Sequence, residues 1–175
     1  MLGRVLSQIF RFVFFILLQG LIFNQLNLFD GWVNPYIYIF AILMLPVETS
    51  RTAVLFIAFA TGILVDVFSS TLGMHTSACL FIGFLQPLVL RVLAPRDGYE
   101  FGQLPTVQEM GLSWYLAFAG ILTVAHHLWL FFVEVFRFSG FFITLFQAIC
   151  SAFGTIVIMV IVQYLNFRPK SRTRS

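Results

Sequence analysis

Charge is what this chain has least of. Lys, Arg, Asp and Glu together make up 10% of its 175 residues, with only seven acids, against about 25% charged residues in a soluble domain. A small soluble domain leaves much of its surface in water and must cover it with polar groups; this composition cannot. Disorder is excluded too, because disordered segments are poor in aromatics and here aromatics reach 18%, with 23 phenylalanines. Cysteine is nearly absent. Cys79 and Cys150 both fall inside apolar runs and read as small packing residues rather than a disulfide pair. No glycine-rich loop ends in Lys-Ser or Lys-Thr, which excludes ATP use by that route, and no His-Glu-x-x-His zinc motif occurs. What is present is apolar: hydrophobic residues are 60% of the chain and the mean hydropathy is +0.97. An integral membrane protein is the class that remains.

An apolar helix needs about 20 residues to cross a hydrocarbon core of ~30 Å. Apolar runs place transmembrane helices at about 12–29, 32–49, 52–68, 74–93, 112–133 and 141–167, in one domain spanning 1–175, with 168–175 as a basic cytoplasmic tail. The first run follows Arg4 and Arg11 but lacks a small-x-small cleavage site, so it is expected to be retained. The weakest run is the second, where 36–47 alone would cover only about 18 Å as a helix. Charge arbitrates, because short cytoplasmic loops collect Lys and Arg. With six crossings one side holds Arg4, Arg11, Arg51, Arg91, Arg96 and the four tail bases, and the other holds Arg137 alone. Without the second crossing the split falls to seven and three. Six crossings with both termini cytoplasmic are therefore expected. The pI near 9.2 is then mostly topology. The tail could also hold anionic membrane lipids at roughly 1 kcal/mol per base. Nucleic acid is not indicated, since no base-stacking module accompanies the tail.

Ionisable and small residues at membrane depth are the pointers to function. Ala58, Gly62 and Asp66 form one stripe on the third helix, and His75, Cys79, Gly83 and Pro87 form another on the fourth. Thr123, His127, Leu130 and Glu134 follow helical spacing on the fifth, with Arg137 just beyond. Asp66, His75, Glu134 and Arg137 all fall near the outer end. The plainest reading is structural: Arg137 neutralises a carboxylate while His75 caps or packs the turn. The sharper one is a polar docking site for another protein's helix or loop. A metal is disfavoured, because no regular ligand spacing exists and His126 and His127 point about 100° apart. Gly111-Leu-Ser-Trp resembles the short serine motif of rhomboid proteases. However, Ser113 sits at the membrane edge with His126 about 20 Å along the same helix, beyond the reach a nucleophile and its base require. No catalytic residue, cofactor or metal ligand is assigned.

Several segments carry a family resemblance. Pro35-Tyr-Ile-Tyr, Leu45-Pro-Val-Glu-Thr-Ser-Arg51, Gly62-Ile-Leu-Val-Asp66-Val-Phe-Ser69 and Gly73-Met-His75 resemble MreD, the bacterial rod shape-determining membrane protein. Pro95-Arg-Asp-Gly-Tyr-Glu100, the His126-His127 pair and Phe131-Phe-Val-Glu-Val-Phe136 resemble its Bacteroidetes-type branch. The resemblance implies an all-α bundle of six transmembrane helices in the bacterial inner membrane. It is similar to the substrate-binding subunits of energy-coupling-factor transporters. It also implies a non-enzymatic scaffold in cell elongation, with an MreC-like partner, the MreB filament, RodA and its transpeptidase. On that basis Gly62, Asp66 and Gly73 are expected to shape the outer half of a site for the MreC-like partner. The rival expectation is a substrate-binding membrane subunit of a vitamin or small-molecule transporter. That function would need convergent polar groups in a pocket, and Thr61, Thr123, His127 and Gln147 are the chief mid-membrane candidates.

Overall fold

Five helices carry the architecture. The computed structural model describes residues 2–26, 28–135 and 140–165, the first few as backbone only. Helix α1 spans Leu2–Leu21 and is followed by a short 3-10 turn at Phe23–Gln25. Helix α2, Ile39–Leu43, has only five residues. Helices α3 (Arg51–Ser69) and α4 (Met74–Val92) form a tight hairpin. The short α5 (Val107–Met110) leads into α6 (Leu112–Val135) and α7 (Phe141–Leu165). The five long helical segments are each apolar and long enough to cross a membrane. Among the described residues there is no β-strand, only an isolated bridge between Leu28 and Val33.

Local chemistry fixes the ends. Ser50 caps α3, its hydroxyl accepting the Ala53 N–H at 3.3 Å, as N-cap serines do. α3 stops at Ser70 in the left-handed region (φ 54) and α4 starts after Gly73 at φ 81, a conformation glycine adopts without steric cost. α3 packs most extensively on α4, α4 on α6 and α6 on α7, while α1 leans on α3.

The expected second helix at 32–49 is not a helix over that length. Asn34 to Pro46 runs as irregular chain with the single short turn of α2, and Ile37 to Leu45 are all buried. Its course can be read from its partners. Asn34 N–H donates to Ser151 Oγ and Tyr36 N–H to Thr155 Oγ1 on α7, while Met44 lies at Gln163. On α1, Gln19 meets Pro35 and Ile37, and Gln8 meets Met44 O. Gln8 and Gln19 are about 16 Å apart along their helix. The segment therefore threads the bundle alongside about half the length of α1. Non-helical backbone survives at such depth only when enclosed by protein, and each exposed peptide group needs a partner. Five side chains from three helices supply them: Gln8 and Gln19 from α1, Gln86 (to Ile42 O, 3.4 Å) from α4, and Ser151 and Thr155 from α7.

The first and last helices also differ from their expected bounds. α1 begins at Leu2 rather than near 12 and gives way after Leu21 to turns, with Phe29, Asp30 and Gly31 all at positive φ. The end of the sixth expected helix and the basic tail, 166–175, lie outside the described residues.

Candidate functional site: the Asp66 node and the histidine layer

Asp66 lies on the last turn of α3, facing the start of α4. Its Oδ1 accepts from Thr71 Oγ1 (2.7 Å), the His75 N–H (3.0 Å) and His75 Nδ1 (3.1 Å). Its Oδ2 accepts from the Thr76 N–H (3.0 Å) and Thr76 Oγ1 (2.6 Å). Two of these donors are free peptide N–H groups in the first turn of α4, the positive end of that helix. The carboxylate is thus a helix cap supplied by a neighbouring helix, with its acceptor capacity filled by donors of this chain. Bonds to an ionised acceptor are roughly twice as strong as neutral ones.

Gly62, one turn earlier, makes that approach possible. A Cβ at position 62 would lie 2.3 Å from Thr76 Cα and 2.8 Å from its nitrogen. Farther down the pair, a Cβ at Gly83 would stand 3.0 Å from the Ala58 methyl. The two small-residue stripes of α3 and α4 therefore face each other. Gly73, at φ 81 with open space around it, serves the turn.

Beyond His75 lies a layer of rings. Tyr36 sits among three histidines, with ring centroids 5.6 Å from His75, 6.0 Å from His126 and 5.3 Å from His127. Tyr38 Oη and His126 Nε2 are 2.8 Å apart. His127 Nδ1 lies 2.8 Å from Thr123 O, which assigns its proton to that nitrogen, and its Nε2 is 3.1 Å from Thr155 Oγ1. The layer clamps the first residues of the threaded segment between α4, α6 and α7. His126 Nδ1 and Thr123 Oγ1 are buried without a partner among the described residues.

The structure thus brings Gly62, Asp66, Gly73 and His75 into one node and joins His127 to it through Tyr36. Glu134 is exposed and makes no hydrogen bond or ion pair among the described residues, although its charge lies within electrostatic range of Tyr36. Arg137, expected beside it, lies outside the described residues. The partner of the Asp66 carboxylate is the start of α4 with His75, Thr71 and Thr76, a set that charge counting could not find. Gln8, Gln19 and Gln86, which hold the threaded backbone, escaped sequence reasoning altogether. A clue was available in glutamines at membrane depth beside a run bounded by Pro35 and Pro46. Among the described residues, no three of His, Cys, Asp and Glu are placed to hold a metal ion. Thr61 donates its hydroxyl to its own helix at Ile57 O (2.7 Å), so its one donor is already used.

Outside, the pattern reverses. Phe10, Phe56, Phe84, Phe142, Phe153 and Leu165 are all more than half exposed, far more apolar surface than a soluble monomer presents. Polar groups inside and phenylalanine outside, on five spanning helices, define a multi-pass helical membrane protein. No protein-family model, curated protein or solved structure matches the chain.

Proposed function

We propose that the chain is a non-enzymatic scaffold of the MreD type in the bacterial inner membrane. In this reading it binds an MreC-like protein and helps link the MreB filament to peptidoglycan synthesis by RodA and its transpeptidase. The threaded segment 34–47 counts as the second of six crossings, which returns both termini to the cytoplasmic side and leaves nine of the ten bases there.

One observation carries the reading. The Gly62–His75 stretch on which the family resemblance chiefly rests is a self-contained structural node, its carboxylate saturated by the chain's own donors. Such a node fixes the shape of a bundle. A rigid bundle with an apolar exterior acts by holding partner helices against its outer faces, where packing and a few polar contacts of about 0.6 kcal/mol each set the choice. The node then shapes the outer half of the docking face from behind, by setting where α3 and α4 stand.

Depletion in a rod-shaped host tests the role. Cells should widen and become round as the protein is lost; rods of unchanged width after full depletion would reject it.

A further inference from the structure

At the Arg91 end of α4, opposite the Asp66 node, a cavity of about 200 Å³ opens between α4, the stretch after α2 and the loop that carries Tyr99. Val47, Leu90 and Tyr99 contribute to its walls, and Tyr99 is anchored by its hydroxyl donating to Leu90 O at 2.7 Å. Gln86 also lines it and is only 1% exposed. Its Nε2 is occupied by Ile42 O, but its Oε1 has no partner among the described residues. A buried acceptor without a donor is costly and calls for an occupant that supplies one. Arg91, also lining the cavity, is exposed and has neither ion pair nor hydrogen bond among the described residues. The required occupant therefore carries a hydroxyl or N–H donor at one point and an anion at another. It also needs more room than one water, whose share of liquid volume is about 30 Å³.

The surface beside the cavity narrows the source. Phe84, Leu88 and Arg91 share one face of α4 by helical spacing, and Phe84 and Leu88 are exposed at 64% and 41%. An apolar strip along the membrane that ends in an unpaired cation is the outline of a lipid, tail then headgroup.

We propose that this cavity binds a phosphoglycerol group. A glycerol hydroxyl donates to Gln86 Oε1, and the phosphate meets the Arg91 guanidinium. Phosphatidylglycerol supplies the group, with an acyl chain along Phe84 and Leu88. This site is independent of the partners proposed above and needs only the membrane-embedded fold.

Native mass spectrometry of the full chain, purified in detergent, stripped of lipid and titrated, tests it. Phosphatidylglycerol should bind as one tightly held copy, and phosphatidylcholine, which keeps the phosphate but has no headgroup hydroxyl, about tenfold more weakly, the cost of leaving the Gln86 acceptor unmet. Arg91→Gln and the cavity-filling Thr49→Trp should each weaken phosphatidylglycerol by about tenfold, whereas Arg96→Gln, on the exposed loop, should match the parent. Arg91→Gln changes an exposed side chain, so it decides the matter even if Thr49→Trp fails to fold by thermal melting. Glycerol phosphate binding with the same sensitivity to Arg91 would support the same chemistry from a soluble source. Equal binding of phosphatidylcholine, parent-like affinity in Arg91→Gln, or an equal loss in Arg96→Gln would overturn the proposal.

Discussion

The two ends of helix α4 are opposites. At its start, every acceptor position of Asp66 is filled and the neighbouring helix approaches so closely that position 62 has no room for a Cβ. Toward its end, among the described residues, Gln86 keeps an unpaired oxygen beside a cavity and Arg91 stands without an anion. One end of α4 thus meets a polar group of α3 whose bonding capacity is used up within the chain, and the other end carries one whose capacity is not. The first kind holds a membrane protein together; the second kind points to something outside it. A buried ionisable residue is the usual first suspect for function at membrane depth, but here bonding saturation separates structure from site better than charge does.

The largest effect that can break this contrast is topological. Single cysteines at Asp30 and Glu48, in a background lacking Cys79 and Cys150, should label from opposite sides of the membrane if the threaded segment crosses it. Labelling of both from one side would remove the sixth crossing. Next come the closed contacts at the start of α4. Gly62→Leu must push α3 from α4 and should cost about 3 kcal/mol or more, seen as a large fall in melting temperature or no folded protein. Asp66→Leu strands two peptide N–H groups and two hydroxyls and should cost about 3 kcal/mol. Asp66→Asn retains one acceptor oxygen and should cost clearly less. If Asp66→Leu melts like the parent, the cap is not holding the hairpin.

The smallest effect compares two buried glutamines. Gln19 uses both ends of its amide, on Asn24, Pro35 and Ile37, so Gln19→Leu should cost about 2 kcal/mol. Gln86 has one long bond and an orphan oxygen; Gln86→Leu should cost about 1 kcal/mol or less in lipid-free detergent. Equal losses in thermal unfolding would erase the distinction between used and unused polar groups.

Much of the fold was legible before any coordinates. Hydropathy and turn residues placed 52–68, 74–93 and 112–133 within two residues of α3, α4 and α6, because an apolar run between Gly, Pro and Ser punctuation has few other outcomes. The stretch 32–49 misled for a physical reason. Hydropathy measures burial, and Ile37 to Leu45 are indeed buried, yet their backbone is satisfied by Gln8, Gln19, Gln86, Ser151 and Thr155, which are far away in sequence. Helical spacing likewise drew both stripes, Ala58-Gly62-Asp66 and His75-Cys79-Gly83, but periodicity describes one helix at a time. That the stripes meet each other, with Asp66 closing on the first turn of α4, required the fold. The cavity at Gln86 had no signal of its own, since its walls come from separate parts of the chain.

The role proposed for this bundle is to hold a companion in the membrane, and the direct measurement is what it holds. The tagged chain, extracted from native membranes in mild detergent and purified in one step, should bring down an MreC-like protein in near-stoichiometric amount. Recovery of correctly inserted protein with no such companion, or with a pair of transport ATPases in its place, would contradict the account.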